Sequence, residues 1–252
     1  FGVWRPGYPA GISGMDTYGE LYTDSRKWLA EGWLDYFAPQ LYWPIEQPAQ
    51  SYPALLEWWK GENGKGRHLW PAINLGASSA SHLPTPELRG REYDSQIFVA
   101  RGMLPGSPGF LAFRAGSLME SRGGEANCAF QGQALVDALQ SKALAQPALL
   151  PRTPWIRSEA PACPAARCAI EGDALLVSWE PVEGALNYVV YARREGSGGP
   201  PRWESSILPA DQGEKGLAAA SEIDMVVVTA VSGMGEESEE KAIAVKRPVS
   251  PD

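Results

Sequence analysis

The sequence predicts an α/β chain that ends in a separate all-β module. Strand-like and helix-like segments alternate up to about residue 145. A Pro-rich stretch follows, with Pro147, Pro151, Pro154, Pro161 and Pro164. Beyond it, apolar residues recur at alternate positions, the period of half-buried strands. Repeated β-loop-α-β units imply parallel strands joined by right-handed crossovers. Four such units make half of a TIM (β/α)8 barrel, and an open doubly wound sheet is the competing arrangement. Long loops after the strands and short turns after the helices favour the barrel. The expected divisions are residues 1–146 for the partial barrel, 147–168 for the linker and 169–248 for a small β-sandwich.

The first part is organised around Tyr36-Phe37-Ala38-Pro39-Gln40-Leu41-Tyr42-Trp43. This run is rich in β-formers, carries no charge and ends in polar and aromatic residues, as a buried strand delivering side chains to a rim would. Upstream, Phe1–Trp4 reads as a strand end and leads into a Gly/Pro loop. Thr17-Tyr18-Gly19-Glu20 has capping-box spacing with Thr17 as the cap. The helix it opens places Tyr18, Leu21, Tyr22, Ser25, Trp28 and Leu29 on one face, with Asp24 mid-helix and Gly32 as the stop. A second helix starts between Ser51 and Pro53. His68–Asn74 is the third strand, followed by a loop containing His82. A helix over 92–103, a fourth strand over 109–113 and a helix over 130–145 complete the part. In the second part, strands are predicted at 174–179, 187–193, 223–231 and 242–245, the spacing of a sandwich.

Bulk properties narrow the function. The chain has 252 residues, 44% hydrophobic and 21% charged, enough for a packed core. A net charge of -8 and a pI near 5.0, without any basic run, argue against a nucleic-acid surface. No window approaches the roughly 20 apolar residues of a membrane span. The chain opens at Phe1 on a strand-like segment, without initiator Met or signal peptide, and so reads as a part of a longer protein. Cys163 and Cys168 fit either a small disulfide loop or two free thiols, and Cys128 reads as a small buried residue. His68 and His82 lack ligand-like spacing, so neither a metal nor a cofactor is expected.

Two stretches carry a family resemblance. The run from Trp179-Glu-Pro-Val-Glu-Gly to Tyr188-Val-Val-Tyr191, with Val228-Thr-Ala-Val-Ser-Gly-Met-Gly-Glu-Glu-Ser238, resembles a fibronectin type III domain. That likeness implies a core Trp and a last hairpin with a Gly-x-Glu-Ser turn. Residues 1–145 resemble the glycosyl hydrolase-like family 10 proteins of bacteria. The likeness rests on Phe1-Gly-Val-Trp4-Arg5-Pro6-Gly7, on Leu21-Tyr22-Thr-Asp24-Ser25-Arg26-Lys27-Trp28 with Glu31-Gly32-Trp33, and on Asp35–Pro44. It implies the fifth to eighth strands of a barrel, an envelope glycosidase, and a periplasmic, lipoprotein-anchored or secreted location. The family's Asp-Asp-Tyr-Phe-Tyr-Pro run near its fourth strand is absent. Phe113-Arg114-Ala115-Gly116 departs from the family's Phe-Ser-Met-Lys, so no role carries over to that strand end.

A glycosidase needs two carboxylates across the scissile bond. The resemblance puts the likeliest pair upstream of Phe1, leaving Asp16 and Glu46, in post-strand loops, as the catalytic candidates here. Sugar rings present C–H faces that stack on Trp and Tyr, while Gln, Asn and Arg bond to hydroxyls. Gln40, Tyr42, Trp43, Arg5, Trp4 and Asn74 are the substrate-binding candidates, with alternation placing Tyr42 on the face of Gln40 and Trp43 on the other. The expected substrate is a glycan, by resemblance peptidoglycan, with cell-wall or surface contact through the sandwich. The alternatives are a non-catalytic carbohydrate-binding envelope protein and an adhesion protein dominated by the sandwich.

Overall fold

The structure is a computed structural model that describes residues 2–75, 85–106, 108–118, 132–195 and 199–245. It divides into two compact units, Phe1–Gln146 and Pro147–Asp252. No helix among the described residues is long and apolar enough to cross a membrane. His82 and Cys128 lie outside the described residues.

The first unit is a mixture of helices and short parallel strands. The predicted first helix is two helices, α1 (Thr17–Leu21) and α2 (Ser25–Glu31). Tyr22 ends α1 in the left-handed region at φ 54°, and Asp24 then caps α2 by accepting from the Lys27 N–H at 3.2 Å. Asp24 is therefore a cap and not a mid-helix charge. The cap of α1 is Asp16, one residue earlier than predicted. Its Oδ1 accepts from Gly19 N–H at 2.8 Å, while Glu20 accepts from the Asp16 N–H. Thr17 instead turns inward and donates to the carbonyls of Val3 and Trp4. Gly32 stops α2 at φ 69°, as the sequence indicates.

Strand β1 (Tyr36–Phe37) is shorter than its sequence pattern because Pro39 has no N–H to give a ladder. The segment still runs alongside its neighbour and pairs again where Gln40 bridges Ala72. Helix α3 (Tyr52–Glu62) carries Pro53 in its first turn and buries Tyr52, Leu55, Leu56 and Trp59. The third predicted strand is split by Pro71 into β2 (His68–Leu69) and β3 (Ala72–Asn74). Helix α4 (Pro86–Met103) starts earlier than expected, capped by Thr85. β4 (Leu111–Phe113) and α5 (Gly132–Gln140) complete the unit. β1 pairs with β2 and β3 with β4, both parallel. Each ladder is two-stranded, and half of an eight-stranded barrel is more than these ladders display.

Strand side chains alternate between two environments. Phe37, Leu41 and Leu69 join Leu29, Leu55, Leu56 and Trp59 in a core against the helices. Ile73 and Leu75 pack with Tyr93 and Ile97 of α4 and Leu135 and Leu139 of α5. The opposite face carries Tyr36 and His68 stacked on Trp70, with centroids 5.2 and 4.9 Å apart. Among these, Tyr36 is 49% exposed.

The second unit is a β-sandwich. One sheet holds β5 (Ala166–Glu171), β6 (Ala174–Trp179) and β9 (Glu214–Ala218). The other holds β7 (Ala185–Arg194), β8 (Arg202–Pro209), β10 (Ile223–Ser232) and β11 (Ala242–Ala244). All the pairings are antiparallel. Leu175, Val177 and Trp179 of one sheet meet Tyr188, Val190, Val226 and Val228 of the other. The Trp179 and Tyr188 rings lie 5.3 Å apart, and the Tyr188 hydroxyl accepts from the Val182 N–H. β5, β8 and β9 are not among the predicted strands, since most of their positions are exposed and carry few apolar residues.

The Pro-rich stretch is not a free linker throughout. Thr153 N–H donates to the Met234 carbonyl at 3.2 Å, and Arg152 pairs with Glu236 at 2.8 Å. A Cβ on Gly235 would stand 2.9 Å from the Arg152 backbone, so this turn accepts only glycine. Cys163 and Cys168 are free thiols.

Two outcomes follow from this packing. A Cβ on Gly2 would lie 2.4 Å from the Gln40 carbonyl oxygen. Gly2→Ala is expected to destabilise the first unit by about 1–3 kcal/mol in urea titrations, as overpacking does. His68 is 5% exposed, and burial lowers its pKa from the ordinary value of about 6.5, against a smaller upward pull from Asp35. The unfolded chain therefore binds the proton more readily, and stability should fall as the pH drops through about 6.5 and flatten below the folded pKa. His68→Gln should remove that slope.

Candidate functional site

The carboxyl ends of parallel strands are where an α/β sheet builds its sites. Here the bridge of Gln40 to Ala72 and the pairing of Asn74 with Phe113 bring three strand ends side by side. The Leu75 N–H closes the arrangement by donating to the Phe113 carbonyl at 2.6 Å. The Gly2–Trp4 segment lies beside Gln40, because Gly2 offers no side chain there.

Gln40 and Tyr42 are half-buried on either side of Leu41, which is fully buried. Tyr42 stacks on Phe113 at 5.5 Å and 26°, and Phe113 is 50% exposed. Burial raises the Tyr42 pKa, so its hydroxyl stays a neutral donor and acceptor at neutral pH. Trp43 falls on the opposite side from Tyr42, as alternation indicates. It packs against the helix-side core and lines a small cavity of about 50 Å³ with Val3, Gly14, Met15 and Thr17. The Trp43 carbonyl accepts from Gln96 Nε2 at 3.2 Å, so its loop is tied to α4.

Trp4 occupies a position different from the one expected. It is only 8% exposed and forms a floor rather than a platform. Tyr8 and Tyr18 stand edge-on to it at 5.1 and 5.6 Å, and Trp58 stacks below at 6.1 Å. The Arg26 guanidinium covers it from another side, 5.1 Å from its centroid. Arg5 then reaches over the exposed Tyr18 ring at 5.3 Å. Its Nε donates to Asp16 Oδ2 at 3.2 Å. Tyr8 and Tyr18, 46% and 43% exposed, are thus the aromatic surface over the opening segment, whose residues 2–5 form no strand, contrary to the expected strand end. Sequence reading missed both, because neither sits on a strand. The signal for Tyr8 is the Gly/Pro loop that holds it, while Tyr18 follows in the first turn of α1.

The acids are placed differently from one another. Asp16 has both oxygens engaged, one by the Gly19 N–H and one by Arg5, so it caps α1 and orients the guanidinium. Glu46 is exposed in the turn closed by the Gln47 N–H and the Pro44 carbonyl. Asn74 ends β3 half-buried. Among the described residues no group of three or more His, Cys, Asp or Glu is placed to hold a metal ion. The geometry can grip a neutral polar ring: amide, hydroxyl and guanidinium groups interleave with exposed aromatic faces.

No protein-family model matches the chain. It is similar to the protein named Glycosyl hydrolase YngK of Bacillus subtilis (strain 168), 33% identical over 170 residues, which cover 65% of this chain and 31% of that protein. It is also similar to Glycosyl hydrolase DigH of Escherichia coli (strain K12), 45% identical over 62 residues, covering 23% and 14%. The chain thus spans well under two thirds of these relatives. Among solved structures it is similar to the FN3 domain of human collagen XX, with TM-score 0.27 and 18% identity over 36% of this chain and all of that one. A β-1,2-glucanase from Parabacteroides distasonis has TM-score 0.27 and 16% identity, over 36% of this chain and 14% of that chain. At scores this low, the two structural likenesses carry no argument.

The dual engagement of Asp16 can be separated by substitution. Asp16→Asn keeps an acceptor for the Gly19 N–H and should cost little stability. Asp16→Ala loses the cap and should cost about 0.5–2 kcal/mol in chemical denaturation.

Proposed function

We propose that residues 1–146 are the C-terminal half of a (β/α)8 barrel belonging to a bacterial envelope glycoside hydrolase of the glycosyl hydrolase-like family 10 type. The observation that carries this reading is Gln40 beside the Tyr42–Phe113 stack at the carboxyl ends of neighbouring parallel strands, with the Arg5–Tyr18 pair contributed by the opening loop and α1. Similarity to two proteins named glycosyl hydrolase supports it. So does Tyr36, 49% exposed on the sheet face opposite the helices, where the inner face of a half-barrel would carry a covering layer.

In this reading the substrate is a glycan, with the peptidoglycan strand as the favoured case, and the protein is periplasmic, lipoprotein-anchored or secreted. Aromatic faces take the C–H faces of a sugar ring, and Gln40 and Arg5 bond its hydroxyls. Hydrolysis requires a general acid and a second carboxylate, about 5–5.5 Å apart for retention or 6.5–9.5 Å for inversion. In this reading residues outside this chain supply that pair, with Asp16 committed to Arg5 and its helix and Glu46 an exposed acid in a turn. The same commitment favours a second reading, a carbohydrate-binding envelope protein without catalysis.

The test compares the 252-residue chain with the protein extended to the length of its relatives. The extended protein should release new reducing ends from peptidoglycan glycan strands, and the 252 residues alone should not. Hydrolysis by the short chain would overturn the division of labour. In the extended protein, Gln40→Ala and Tyr42→Ala should each lower kcat/KM about tenfold or more. Binding without hydrolysis would select the second reading.

A further inference from the structure

On the outer face of the sandwich, β7 and β8 place Tyr191 and Trp203 on neighbouring strands, with Val227 of β10 beside them. Together with Glu240 they line a cavity of about 120 Å³. Trp203 is 52% exposed, although an indole of this size belongs in a core or an interface. Val227 forms a nearly closed apolar floor at 6% exposure. The polar groups around it are held in place. The Tyr191 hydroxyl donates to Glu237 at 2.8 Å, and Thr229 bonds the same carboxylate oxygen. Arg193 is clamped to Asp224 through two nitrogens and lies 5.9 Å from the Trp203 centroid.

Size and charge narrow the occupant. A drug-sized pocket runs from roughly 300 Å³ upward. This cavity suits one ring lying partly in solvent. A cationic ligand is disfavoured because Arg193 already presents its guanidinium to Trp203. Burial, and then the bond to Glu237, push the Tyr191 pKa up to about 12, so the phenol stays protonated and its oxygen can accept a further hydrogen bond. Glu240 is an exposed carboxylate at the rim, suited to a pair of neighbouring hydroxyls. Apolar floor, exposed indole, neutral phenol and rim carboxylate match a pyranose.

We propose that Trp203, Tyr191 and Glu240 form a second saccharide subsite on the sandwich, which holds one pyranose ring of a glycan chain against the Trp203 indole. The choice of a sugar rests on the glycan reading of the first unit. The subsite itself is separate from Gln40 and Tyr42 and has no hydrolytic part.

The probe is chitohexaose, a soluble β-1,4-linked N-acetylglucosamine hexamer, titrated into the 252-residue chain. Binding is followed by calorimetry and by the Trp203 indole N–H resonance, assigned through its loss in Trp203→Ala. The indole signal should shift on titration. Trp203→Ala should weaken binding at this subsite roughly tenfold, and Glu240→Gln about threefold. Since the ring is exposed, Trp203→Phe and Trp203→Ala should both retain the thermal midpoint of the sandwich, which separates a binding loss from misfolding. An unshifted Trp203 indole, or an affinity within twofold after Trp203→Ala, overturns the subsite. Tyr42→Ala distinguishes the two readings. If it weakens binding and Trp203→Ala does not, only the second subsite fails. If Trp203→Ala alone acts, the sandwich subsite stands, and the strand-end reading is decided by kcat/KM in the extended protein.

Discussion

The strand-end geometry of the first unit depends on one buried hydrogen bond. Trp59 of α3 is fully buried, and its indole N–H donates to the Gly2 carbonyl at 2.7 Å. An unpartnered indole at this depth would cost about 1–3 kcal/mol, so the bond fixes the first segment as firmly as any ladder could. The same ring touches Phe37 of β1 at 4.5 Å and Trp58 at 4.6 Å. One side chain thus ties α3, the opening segment and β1 together. With Gly2 held there, nothing thicker than a hydrogen atom fits between it and Gln40. The placement of Gln40 is then a result of packing far below the rim.

That dependence explains which parts of the molecule were legible in the sequence. Tyr36–Trp43 announces a buried segment because only such a segment tolerates so many apolar residues without charge. The alternation that sends Leu41 inward and leaves Gln40 and Tyr42 half-buried is a backbone property, and so it is readable. The burial of Trp4 is illegible for the converse reason. Its burial comes from Tyr8 of its own loop and from Tyr18, Arg26 and Trp58 of α1, α2 and α3, and no local pattern encodes their convergence. Local chemistry also competed at the first helix. Asp16 outranks Thr17 as a cap because the Thr17 hydroxyl is drawn to the Val3 and Trp4 carbonyls.

The sandwich shows the same division. Its inner strands β6, β7 and β10 were visible because both sheets demand apolar residues from them. β5, β8 and β9 carry many exposed positions, where solvent imposes little on side-chain identity. Trp203 is inconspicuous on that account, a lone indole among Arg202, Glu204, Ser205 and Ser206. What distinguishes it is the cross-strand neighbour Arg193 and the floor beneath it, both set by register.

The anchoring of Arg152 and Thr153 to the turn at Gly235 bears on how such chains are assembled from parts. By composition, the sandwich begins where alternation begins, near residue 169. By contact, it begins at Pro147, because a chain cut later would leave Glu236 without its cation and the Gly235 turn without the backbone it was shaped around. Recombination that moved only the recognisable strands into a new host would deliver a module with a bare seam. The heritable unit is therefore longer than the motif by which it is recognised, and the proline-rich approach travels with it as part of the fold.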